Sequence, residues 1–185
     1  MRILAILIVV SGWLAACANP AVRRPDQARF DLGPAIIGPP LAVGVVAVTM
    51  EAPSWLAGSA MQYRLAYAEP VRRREFADSR WAAPPAELIG QALERRFAGR
   101  GGGCRLHVEL DEFLQVFEAP AQSSQVLAGR ATLYAGTDVA DRYGFLVARA
   151  APTADARGGV TAAAEAVSAL AEELGSWLVR SERCR

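Results

Sequence analysis

The side chains of this sequence best placed to do chemistry are three cysteines, a lone histidine in a row of carboxylates, and a glycine-rich run. Cys17 closes Leu14-Ala15-Ala16-Cys17, directly after Met1-Arg2 and the almost wholly apolar Ile3 to Trp13. A positive start, an apolar stretch and small residues before a cleavage point make a secretory signal. With cysteine as the first residue after that point, the pattern is the lipobox of bacterial lipoprotein precursors: the thiol takes a diacylglyceryl group and the freed amine is acylated. The 16 residues from Ile3 to Ala18 fall short of the roughly 20 that cross a bilayer core. The expected mature chain begins at lipidated Cys17, with more acyl chains than the two signals that stable anchoring takes. Ala18, where Asp would favour inner-membrane retention, points to the periplasmic face of an outer membrane.

His107, Glu109 and Asp111 alternate along one segment. On a strand they share a face at intervals of about 6.6 to 7 Å, and neither remaining cysteine has the spacing of a metal knuckle. A solvated face is expected there, with no metal and no cofactor. Gly99-Arg100-Gly101-Gly102-Gly103 leaves a helix and enters a strand, the reverse of a phosphate-cradling loop, so it reads as a turn. There is no Gly-x-Ser-x-Gly elbow, and adjacent Asp111 and Glu112 would point to opposite faces. The chain is not expected to be an enzyme.

Setting aside the signal's Arg2, 19 arginines face 19 acidic residues, and lysine is absent. A formally neutral mature chain argues against a nucleic-acid partner. Arg72-Arg73-Arg74, the one basic run, reads as solvated surface. Without its first 16 residues the 185-residue chain is still long enough to bury a core as one domain.

Residues 1–16 are the expected signal peptide, 17–29 a lipidated tether rich in Pro, Arg and Ala, and 30–185 the folded domain. Leu41 to Met50 is apolar on both parities and predicts a near-central strand covered on both faces. Met61 to Tyr67 alternates as a second strand. Pro84-Pro85 opens a helix with the stripe Leu88, Ile89, Ala92, Leu93 and Phe97, followed by a strand with Leu106, Val108, Leu110, Leu114 and Val116 inward. Strand, helix and strand in that order predict a parallel crossover. Val126 to Gly136 and Gly144 to Ala150 predict a hairpin joined by residues 137–141. Val160 to Leu178 carries a 3.6-residue period as a terminal helix. The fold class is therefore α/β: a mixed sheet of about five strands packed with two long helices, the second C-terminal.

This path runs up the second strand, down the first helix, through three alternating strands and down the last helix. It brings Cys104 and Cys184 to the same end, and in an oxidising compartment they are expected to form a disulfide. Pro53-Ser54-Trp55-Leu56 joins the first two core strands with apolar residues where a plain turn would be polar. It either caps the core or forms part of an interface, and Pro53, Trp55 and Leu56 are the interface candidates.

The order of landmarks carries a resemblance: lipobox, Phe30-Asp31-Leu32-Gly33, a Val-rich strand, Pro53-Ser54-Trp55-Leu56, Met61-Gln62-Tyr63-Arg64-Leu65, Arg80-Trp81, then a helix, three strands and a terminal helix. Over roughly residues 30 to 180 this resembles the ABC-type transport auxiliary lipoprotein (PqiC-like) family. Trp55 stands where other members carry Tyr. The resemblance implies an α/β sandwich and a non-enzymatic outer-membrane lipoprotein. Its partners would be an MCE protein and, through it, an inner-membrane permease and ATPase that move lipids between the membranes. A homo-oligomer is also implied as possible in such a family. The alternative is an outer-membrane assembly lipoprotein that supports a β-barrel translocon.

Overall fold

The computed structural model describes residues 27–33, 39–41, 43–97, 103–181 and 184. The signal peptide, Cys17, most of the tether and the glycines at 99, 101 and 102 lie outside the described residues. Seven strands and two α-helices follow in the order β1 (Ala28–Phe30), β2 (Val45–Glu51), β3 (Ala60–Leu65), β4 (Arg74–Trp81), α1 (Pro85–Phe97), β5 (Cys104–Ala119), β6 (Gln122–Ala135), β7 (Asp138–Ala150) and α2 (Ala156–Arg180). Ala28 and Arg29, at the end of the expected tether, already belong to the sheet.

β5 is the spine. Its 16 residues are long enough to serve two partners in tandem along one edge. β2 pairs with its first half in parallel, Val45 beside Cys104 to Glu51 beside Glu109. β3 pairs with its second half, also in parallel, Tyr63 beside Gln115 to Leu65 beside Phe117. The sheet order is β1-β4-β3-β5-β6-β7, with β2 joined to β5 off that path. Taking β5 as running up, β4 and β1 run down beside β3. α1 then continues down over β2, so the parallel crossover stands with an extra strand inserted in it. Among the described residues β5 is the one partner of β2, which is thus not a central strand, and Val46 is 49% exposed. Its Val-rich sequence is needed on the side that α1 covers.

β5, β6 and β7 form a meander. The β6–β7 loop is only Gly136-Thr137, with Ala135 opposite Asp138 and Gly136 at φ 63°, a positive value suited to a residue without Cβ. Residues 138–141, expected as connection, are therefore strand. β5 carries a bulge between Leu110 and Glu112. Below it the even positions face the helices as predicted. Above it one extra residue reverses the parity, so Phe113, Gln115 and Phe117 turn to the helices and Val116 turns away, while Leu114, now on the other parity, is still buried at 1% exposure.

Both helices lie on one side of the sheet. Ile89, Ala92, Leu93 and Phe97 of α1 are buried, and α2 adds Val167, Leu170, Leu174 and Leu178. The first half of α2 buries Gly158, Gly159, Ala162, Ala163 and Ala166, small residues that let it approach the sheet closely. Arg96 of α1 is 5% exposed and meets Glu172 of α2 at 2.7 Å, tying the helices together. The opposite side of the sheet has no layer among the described residues. Among them, too, no helix is long and apolar enough to cross a membrane.

Candidate interaction surface

A single 3-10 turn, Ser54–Leu56, carries the chain from β2 to β3. Pro53 precedes it in extended conformation and Leu56 N–H donates to the Pro53 carbonyl at 2.8 Å. So tight a turn sends adjacent side chains in different directions. Leu56 goes inward and is 2% exposed, whereas Trp55 goes outward and is 54% exposed. The expectation that Pro53, Trp55 and Leu56 act together is therefore divided: Leu56 caps the core, Trp55 is presented to solvent, and Pro53 is half-buried between them.

Trp55 is braced. Gln62 Nε2 of β3 donates to the Trp55 carbonyl at 2.5 Å, and the Arg73 guanidinium stands 5.8 Å from the indole centroid. Arg73 also donates to Gln62 Oε1 at 3.1 Å and to Glu112 Oε2 at 2.6 Å. Arg64 approaches the same carboxylate at 3.7 Å. The network depends on the β5 bulge, which turns Glu112 to the open side of the sheet. Sequence reasoning found Trp55 from its apolar setting but missed Gln62, Arg73 and Glu112. The available signal was the polar parity of β3, which places Gln62 and Arg64 on one face.

The basic run is consumed internally. Arg72 and Arg74 meet Glu69 at 3.3 and 2.6 Å, and their guanidinium groups, Arg74 first, hold that carboxyl below its ordinary range. Three arginines in a row thus make no free cationic patch.

His107, Glu109 and Asp111 share the open face as expected, but the bulge puts Glu112 on that side too, so Asp111 and Glu112 do not point to opposite faces. His107 Nδ1 lies 3.0 Å from Thr49 Oγ1. Glu109 and Asp111 both turn to Arg130, at 3.4 and 3.1 Å, so a guanidinium supplies the positive charge a cation would bring. On the same face Leu146 of β7 is 73% exposed, level with Ala128 of β6 and Glu112 of β5. At about 4.8 Å per strand, β3 and β7 stand roughly 14 Å apart across this face.

At the lower end Cys104 and Cys184 form a disulfide, with Cα atoms 5.6 Å apart. Gly44 allows the close pass of the chain end: a Cβ there would lie 1.5 Å from the Cys184 carbonyl oxygen.

No family model and no curated protein matches the chain. Among solved structures, a Xanthomonas campestris protein assigned to the DUF330 family superposes with a TM-score of 0.65 at 18% identity, over 84% of this chain and 93% of that one. A second crystal structure, of an uncharacterized protein, superposes equally well at a TM-score of 0.65 and 13% identity, over 83% of this chain and 99% of that one. The mixed sheet with two helices on one side is therefore the fold that this chain shares with a DUF330 protein.

Proposed function

We propose that this chain is a non-enzymatic lipoprotein subunit of an MCE-type ABC lipid transport system. In this reading it is anchored through Cys17 at the periplasmic face of the outer membrane and docks the MCE protein. That protein links it to the inner-membrane permease and ATPase. The observation that carries the reading is the fold shared with the DUF330 protein along 84% of the chain. The lipobox and the order of sequence landmarks support it independently. Contact is then the working mode, and Trp55 is the residue best suited to it: an exposed indole with Arg73 over its ring, on a backbone that Gln62 holds, loses little freedom on binding, and such side chains dominate interface energies.

Membrane extracts of the full-length protein should yield the MCE protein as co-purifying partner and an intact mass for a chain starting at acylated Cys17. Trp55→Ala should weaken that association by about 30-fold, the equivalent of about 2 kcal/mol, with the thermal melt nearly unchanged. Leu56→Ala should instead destabilise the domain by about 2 to 5 kcal/mol. A β-barrel as the co-purifying partner would favour the assembly-lipoprotein alternative. Undiminished association of the Trp55 variant would remove Trp55 from the interface.

A further inference from the structure

We propose that a groove between β1 and α2 holds an acyl chain of a phospholipid, with the lipid phosphate at Arg29. The groove, about 740 Å³, runs between residues 29–33, Ala82 and one face of α2. Its apolar walls are Phe30 and Leu32 on one side and Val160 and Ala164 on the other. The volume lies within the range of about 300 to 1,000 Å³ of small-molecule sites. A peptide would need backbone partners, which the α2 wall, bonded within its own helix, does not offer and only the outer edge of β1 could. An aliphatic chain needs none.

The charges at the rim select the head group. Arg29 is exposed and, among the described residues, has no ion pair. The acid nearest in sequence, Asp31, is turned to accept from Gly33 N–H at 2.8 Å. A second cation stands beside the same wall, the Arg157 guanidinium 6.0 Å from the Phe30 ring centroid. Glu165 lines the groove from α2. A head group with a phosphate and an ammonium, as in phosphatidylethanolamine, meets both signs, and a guanidinium suits phosphate geometry. The inference deepens the proposed role and rests on it, because a lipid-moving assembly brings phospholipid to the site.

The test uses the full-length protein in its own membrane, with photoreactive benzoylphenylalanine at Ala164 in the groove or at Val71, which is 92% exposed, as control. After irradiation, mass spectrometry of the purified protein should find a phospholipid adduct several-fold more abundant at position 164 than at 71. Arg29→Glu should cut that adduct several-fold without moving the melt. Where the Ala164 variant fails to fold, exposed Thr161 on the same wall takes the probe. Equal labelling at position 71 means general membrane contact, and a cross-link to the chain borne on Cys17 means that the protein's own anchor fills the groove. Either result, or no adduct, overturns the proposal. Association with the MCE protein is read separately, so failure here leaves the proposed role standing.

Discussion

Asp155 holds the first turn of α2 through one oxygen. Its Oδ1 accepts from Gly158 N–H at 2.8 Å and from the Thr153 hydroxyl at 2.9 Å, satisfying a donor that a helix start leaves unpaired. The Gly158 N–H, with the Thr153 hydroxyl next, holds the carboxyl below its ordinary value. A group whose folded value is depressed contributes stability above its unfolded value, about 3.9 for Asp, and loses it as pH falls through the folded value. Asp155→Ala should cost about 0.5 to 2 kcal/mol at neutral pH, read by urea unfolding. Asp155→Asn should keep most of the cap while removing this part of the acid sensitivity. If the alanine variant matches the parent at pH 7, the cap contributes nothing. Glycine follows the same local logic at position 159, where a Cβ would lie 2.2 Å from Gln115 Oε1. The helix start is thus fitted to the upper end of β5.

β5 shows what an element reveals in sequence and what it hides. Its alternation from Leu106 to Leu110 fixed the lower inward face correctly. The bulge at Asp111 is invisible because it depends on the partner strand. There Gly129 sits opposite Leu110, and a Cβ on it would come within 2.2 Å of the Glu109 carbonyl and 2.7 Å of the Phe145 ring. Gly129→Ala should therefore destabilise by about 1 to 3 kcal/mol. An unchanged urea midpoint would show that the strand pair yields without strain. The helices were legible because a 3.6-residue period repeats over several turns, whereas β1 has only three residues. β4 escaped because Arg74-Glu75 and Asp78-Ser79-Arg80 mask its two apolar anchors, Phe76, whose ring lies 4.7 Å from Tyr63, and Trp81, 5.3 Å from Phe113. The same two surprises, the bulge and β4, bring Glu112 and Arg73 to Trp55. That explains why the indole was legible and its supports were not.

At the scale of the whole molecule the chain ends where its spine begins. β5 rises, β6 descends, β7 rises and α2 descends, so the last turn of α2 returns to Cys104. The alternation of directions was readable from element order alone, even with two strands uncounted, because β1 and β4 both lie before α1 and leave the later path unchanged. The disulfide spans 80 residues of sequence and encloses β5, β6, β7 and α2. In the chain-entropy account, a closed loop of this length stabilises by about 4 to 5 kcal/mol through the unfolded state. The bond should matter more for unfolding than for the native arrangement, which the buried faces of α1 and α2 already specify. Labelling under denaturing, non-reducing conditions should find no free thiol at Cys104 or Cys184. Reduction should lower the urea midpoint while leaving the near-ultraviolet spectrum of the folded state intact. Two reactive thiols in the oxidised protein would remove the bridge. A midpoint that reduction leaves unmoved would mean that the reduced chain already holds its two ends together before folding.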